Sequence, residues 1–211
     1  MTGHQPLLDP QRIEAESFAM IDREVGSHPY DDRQWPIVRR IIHTTADFYF
    51  ATITCFSAGA VAAGIAALRR GEKLLCDTHM VRAGVNKTRL AAYGSELLCH
   101  VADSDVAREA RAAGVTRSLI AMRRGVAEGC GIFLVGNAPT ALFELLKLVG
   151  DGAAHPSLVV GVPVGFVGAA EAKEALLASG LPFITCRGRK GGSAIAAAIL
   201  NALLLLAEQE S

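Results

Sequence analysis

The sequence predicts an α/β protein: a three-layer α/β/α arrangement around a mostly parallel sheet of about five strands, each near the common strand length, preceded by N-terminal helices. Three observations carry this. From residue 72 onward, short apolar runs alternate with helical patterns, the signature of repeated βαβ units. Most of these runs end directly in turn chemistry, as strands do where they enter the carboxyl-edge loops of an open sheet. Hydrophobic residues make up 51% of the chain, with 21 glycines and only 6% aromatics, a balance suited to helices packed closely on a parallel sheet.

The elements follow in order. Pro10 to Val25 is an amphipathic helix pattern, Trp35-Pro36 to Phe50 a second, and Phe56 to Arg70 an Ala/Gly-rich third. These precede the sheet and complete no βαβ unit, so they are expected to pack on it or on another subunit and to carry Ser17, Arg40 and His43 toward its carboxyl edge. The strand candidates are Leu74 to Asp77, Leu97 to Val101, Ile132 to Val135, Leu158 to Val162 and Phe183 to Cys186. Asp77-Thr78, Gly136-Asn137, Pro163-Val164-Gly165 and Arg187-Gly188 follow them directly. Any one of these reads as an ordinary strand-to-helix turn; together they mark the edge where open α/β sheets bind ligands. The longest apolar stretch, Gly191 to Ala207, contains Ser193 and Asn201 and reads as a core helix, not a membrane span. With no linker or internal repeat, residues 1–211 form one domain by this reading.

Charge and cysteine content exclude several classes. Basic and acidic side chains number 21 each, so no global field draws the chain to nucleic acid or to an anionic membrane. The basic set is mostly arginine, which suits planar carboxylates and phosphates. The five cysteines are widely spaced with no C-x-x-C pair and read as reduced core thiols. The start shows no basic flank followed by an apolar stretch, so a cytoplasmic protein without a signal peptide is expected. No His or Cys pair has zinc-ligand spacing and H-E-x-x-H is absent, so no metal is expected.

Of six histidines, His4 falls in the terminal tail, His28 and His155 precede prolines, and His100 sits in an apolar strand run. His79 follows Asp77-Thr78 at a strand end. His43 stands out in Arg39-Arg40-Ile41-Ile42-His43-Thr44-Thr45, with Asp47 one turn on. On a helix, positions 40, 43, 44 and 47 share a face, so a guanidinium, an imidazole, a hydroxyl and a carboxylate would line one pocket. Local sequence reads His43 equally as a capping or core residue and as an acid–base group. Gly136-Asn137-Ala138-Pro139 reads as a strand end, an Asn N-cap and a proline early in the helix, and equally as a helix start whose amides offer an anion site with the Asn137 side chain turned to a ligand. Arg187 to Ser193 joins three cations to three glycines before a helix. That loop invites a nucleotide reading, but the phosphate-loop and dinucleotide motifs are absent. Thr116-Arg117-Ser118 with Arg123 and Arg124 forms a second basic cluster, of which the last two suit a solvated face.

These segments together resemble the precorrin-8X and cobalt-precorrin-8 methylmutases of corrin biosynthesis. The resemblance runs through Arg40 to Asp47, Asp77 to Val81 with Gly84, and Thr116 to Ser118 with Ala121-Met122. It continues through Gly136 to Phe143, Pro163 to Val167, Gly188 to Ser193 and Asn201 to Leu203. It implies an isomerase that moves a methyl group between neighbouring ring carbons of a small-molecule tetrapyrrole bearing several carboxylates, without a cofactor. It implies His43 as proton donor and acceptor and Ser17 as a substrate contact; Arg40, Thr44, Thr116, Arg117, Asn137 and Arg189 are the further contacts expected. A large flat substrate is poorly covered by one sheet edge, so a homodimer with a shared site is expected. Two departures stand out: Ala46, where glycine is common, and Thr78-His79. A non-catalytic tetrapyrrole carrier is the alternative reading.

Overall fold

A computed structural model describes residues 8 to 210; His4 lies outside them. The chain runs α1 (Pro10–Val25), α2 (Gln34–Thr45), α3 (Phe50–Ile53), β1 (Thr54–Phe56), α4 (Ala60–Arg69) and β2 (Leu74–Cys76). Next come α5 (His79–Gly84), α6 (Lys87–Ala92), β3 (Leu97–Leu98), α7 (Ser104–Ala113), α8 (Arg117–Ala127) and β4 (Ile132–Val135). The last elements are α9 (Pro139–Gly150), β5 (Leu158–Gly161), α10 (Ala169–Leu177), β6 (Phe183–Cys186) and α11 (Ser193–Gln209).

The strands form one six-stranded sheet in the order β1-β6-β5-β4-β2-β3, parallel except where β1 runs against β6. Successive strand side chains point to opposite faces, and the core divides accordingly. Leu74, Ile132, Leu134, Leu158, Val160 and Ile184 pack under α4, α5 and α11, and α2 packs in turn on α11. Leu75, Phe133, Val135 and Val159 pack under α8, α9 and α10. That is the three-layer arrangement read from the sequence.

Four details correct that reading. The sheet has a sixth strand, β1, where the sequence suggested the start of a helix at Phe56; its Thr54, Cys55 and Phe56 pair with Cys186, Thr185 and Ile184. The Ala/Gly-rich helix therefore begins at Ala60. β3 covers only Leu97–Leu98, so His100 lies beyond it, where its Nδ1 meets Asp103 at 2.9 Å and its Nε2 meets Glu128 at 3.1 Å. The second helix stops at Thr45 instead of running to Phe50, because Ala46 turns into the left-handed region at φ 51°. A Cβ in that region crowds the following carbonyl, which explains why glycine suits this position. Ala46→Gly is expected to raise stability by up to about 1 kcal/mol, or a melting temperature by roughly 2–4 °C, in a calorimetric scan.

The chain reverses its direction of travel across the sheet between β2 and β4, the place where open sheets form a crevice. Here the crevice is filled from within. The buried Asp77 carboxylate accepts from the amides of Gly136 at 3.1 Å and of Asn137 and Ala138 at 2.7 Å each. The anion site expected at the start of α9 is thus occupied by the protein's own carboxylate. Burial pushes the Asp77 carboxyl up from its ordinary value, and the three amides act against that shift. Beside it, the hydroxyls of Thr78 and Ser193 lie 3.0 Å apart and join the N-cap of α5 to the first turn of α11. In the loop before α11, a Cβ on Gly191 would stand 2.2 Å from the Val162 carbonyl oxygen, and the Gly192 amide donates to that same oxygen. Gly191 is thus required by backbone packing, while Gly188 and Gly192 take positive φ values of 74° and 137° with open space where a Cβ would stand.

Candidate active site

α1 and α2 lie side by side, and the i, i+4 spacing of Glu14 and Phe18 turns both toward α2. The Phe18 ring meets His43 edge-on, with ring centroids 5.3 Å apart, and the Arg39 and Arg40 guanidinium groups lie 4.3 and 4.8 Å from the Phe18 centroid. The Arg40 Nη1 donates to the Glu14 carboxylate. That contact holds the Glu14 carboxyl below its ordinary value, with the nearby His43 and Arg89 acting the same way. His43 sits in the last turn of α2 with its side chain exposed.

These groups open onto a cavity of about 440 Å³. Glu14, Arg40, His43 and Thr44 form one wall, Gly84, Asn86 and Arg89 the other, and the α11 residues Ala194, Ala197, Ala198 and Asn201 the floor. The far wall is pinned by one side chain: Asn201 accepts from the Asn86 amide and donates to the Gly84 carbonyl, both at 2.8 Å. Gly84 allows the approach, since a Cβ there would stand 2.8 Å from that of Ala197.

The structure brings together only some of the residues singled out in the sequence. His43, Arg40 and Thr44 share the cavity, with the Thr44 hydroxyl donating to the Arg40 carbonyl at 2.8 Å. Ser17 is one turn beyond Glu14 on α1, does not line the cavity, and donates to the Ile13 carbonyl at 2.8 Å. Asp47 leaves the shared face because α2 has ended, and its carboxylate pairs with Lys190. Thr116 caps α8 through the Leu119 amide and bonds Thr140; Arg117 is exposed without a polar partner among the described residues. Asn137 is exposed beside Asp77, and the Arg189 guanidinium lies 5.6 Å from the Phe166 ring centroid. None of these last four residues lines the cavity: Thr116 and Arg117 stand at the start of α8 beside the first turn of α9, and Asn137 and Arg189 on the loops that follow β4 and β6. Arg124, expected on a solvated face, pairs with Asp103 and Asp105, and Arg123 pairs with the buried Glu144.

Sequence reasoning missed Glu14, Asn86 and Arg89. The first was detectable: on the amphipathic α1 it shares a face with Ser17 and Phe18, and it is the acidic match for Arg40. The others have no local signal, because a residue 115 positions away sets their wall.

A mostly parallel sheet sandwiched by helices, with an imidazole, two guanidinium groups and a carboxylate around one flanking cavity, defines an α/β enzyme equipped to move a proton among charged groups. Comparison with known proteins narrows the class. The precorrin-8X methylmutase family matches residues 12–206. A cobalt-precorrin-8 methylmutase of Priestia megaterium is 48% identical over 209 residues, 98% of this chain and 93% of that one. A precorrin-8X methylmutase of Pseudomonas aeruginosa is 44% identical over 199 residues, 92% and 95% of the two chains. The crystal structure of precorrin-8X methylmutase from Thermus thermophilus superposes with a TM-score of 0.88 at 43% identity, covering 95% of this chain and 97% of that one. The chain belongs to the precorrin-8X methylmutase family, and with it to the isomerases. Among the described residues, no helix is long and apolar enough to cross a membrane.

Proposed function

We propose that this chain catalyses, in the cytoplasm, the C11-to-C12 methyl migration that converts precorrin-8X to hydrogenobyrinate in cobalamin biosynthesis, with His43 as proton donor and acceptor. The observation that carries the reading is the exposed imidazole over a cavity with an alanine-rich floor and with Arg40 and Arg89 in its walls. Small floor residues leave room for a flat ring, and guanidinium groups bind its carboxylate arms. A proton lent by His43 to a ring nitrogen draws electron density from the migration path and is recovered once the methyl has moved. Positioned proton transfer contributes roughly two to four orders of magnitude in rate. Holding the macrocycle in its reactive shape supplies the rest.

The substrate contacts extend to Ser17, Thr44, Thr116, Arg117, Asn137 and Arg189. Several of these lie outside the His43 cavity, on an edge that exposes Met80 (70%), Phe166 (84%) and Val167 (90%). Apolar side chains so exposed favour cover by a partner. The reading is therefore a homodimer in which the carboxyl-edge loops of one subunit complete the His43 cavity of the other. Incubation of the purified chain with precorrin-8X tests the function. A changed absorbance spectrum at unchanged mass is expected. Pigment returned with its spectrum intact would favour a carrier and overturn the enzyme.

A further inference from the structure

Lys173 of α10 is fully buried, 0% exposed, with no carboxylate partner among the described residues. Its Nζ donates to the Lys190 carbonyl oxygen at 2.6 Å and lies 3.7 Å from the Cys186 sulfur. Cys186 Sγ lies 3.1 Å from the same carbonyl. Burial pushes the lysine amine down from its ordinary value, with Cys186 acting the other way. Burying an amine with no carboxylate beside it costs stability, so packing alone gives no reason for a lysine here. What a methionine would lack is the donor to Lys190.

Lys190 lies within the loop between β6 and α11. Its own ammonium pairs with Asp47, just past the end of the helix that carries His43. Arg189, beside it, accepts through its carbonyl from the Gly165 amide at 3.2 Å and extends its guanidinium over Phe166. Gly191 and Gly192 then lead into Ser193 and Ala194, the latter in the cavity floor. Fixing the Lys190 carbonyl therefore fixes, at once, a basic side chain on the carboxyl edge, the tether to the His43 helix and the entry of α11.

We infer that Lys173 is a positioning residue, which holds the 187–192 loop from inside the core so that Arg189 is set for a carboxylate arm of the ligand. This rests on the methylmutase reading of the site. The test uses the full chain with Lys173→Met, which fills the space without the donor. Hydrogen exchange without ligand is expected to show lost protection confined to residues 187–194. Turnover of precorrin-8X is expected to show KM raised about tenfold with kcat within about threefold and its pH profile unmoved, the pattern of lost binding with intact proton transfer. Unchanged exchange in the loop, or kcat and stability falling together with KM unmoved, overturns the role. Should the variant not fold, the 15N signal of Lys173 Nζ in the unaltered protein decides: it shifts on hydrogenobyrinate binding if the role holds, and stays still if it does not. Absence of turnover by the unaltered chain would instead sink the methylmutase reading, while the exchange result would still judge the hold on the loop.

Discussion

His43→Ala is expected to lower kcat for precorrin-8X conversion by roughly two to four orders of magnitude, the contribution of a positioned acid–base group. KM should change little, because the arm-binding candidates Arg40 and Arg89 remain in the cavity walls. The fold should survive. The side chain is exposed and its named contact is one edge-on approach to Phe18, so the expected stability loss is on the order of 0.5–1.5 kcal/mol. Steady-state kinetics with a melting scan on the same preparation separates the two effects. A folded variant within about threefold of the original kcat would place the proton transfer elsewhere.

Asp77→Ala carries the largest expected cost in stability. The carboxylate is 2% exposed and accepts from the amides of Gly136, Asn137 and Ala138. Its removal leaves donors of a buried strand end without an acceptor, each worth about 1–3 kcal/mol where water does not reach. Asn137 is exposed and recovers a water, so a total of roughly 3–5 kcal/mol is expected, the range for breaking a buried charged contact. For a chain of this length that lowers the melting temperature by on the order of 10 °C. Asp77→Asn, which keeps one acceptor oxygen, should lose less. A drop below about 2 °C in Asp77→Ala would show that the crevice between β2 and β4 is not braced by this carboxylate.

The parallel core was legible because its strands are buried on both faces and read as unbroken apolar runs. Ile132–Val135 and Phe183–Cys186 match the observed β4 and β6 to the residue. β1 was not legible. Of its three residues the sequence pattern assigns only Phe56, to the start of the Ala/Gly-rich helix, and what makes them a strand is pairing with β6, about 130 positions later in the chain. The site divides the same way. Arg40, His43 and Thr44 lie within two turns of one helix, so periodicity alone places them together. Asp47 fails because that periodicity assumes a continuing helix, and Ala46 ends it. Asn86 and Arg89 are brought opposite His43 by Asn201 of α11, a long-range hydrogen bond without a local trace. The start of α9 looked open to an anion for the converse reason: the carboxylate that fills it comes from the end of β2, 59 to 61 residues earlier.

The central claim is that this chain moves one methyl group within one molecule. Precorrin-8X carrying 13C in its C11 methyl group tests it most directly when incubated with the purified chain and followed by 13C NMR. The account predicts that the label appears on C12 of the product, with none in solution and none passed to unlabelled substrate in the same tube. Label remaining on C11 while the ligand binds, or label exchanged between molecules, would contradict it.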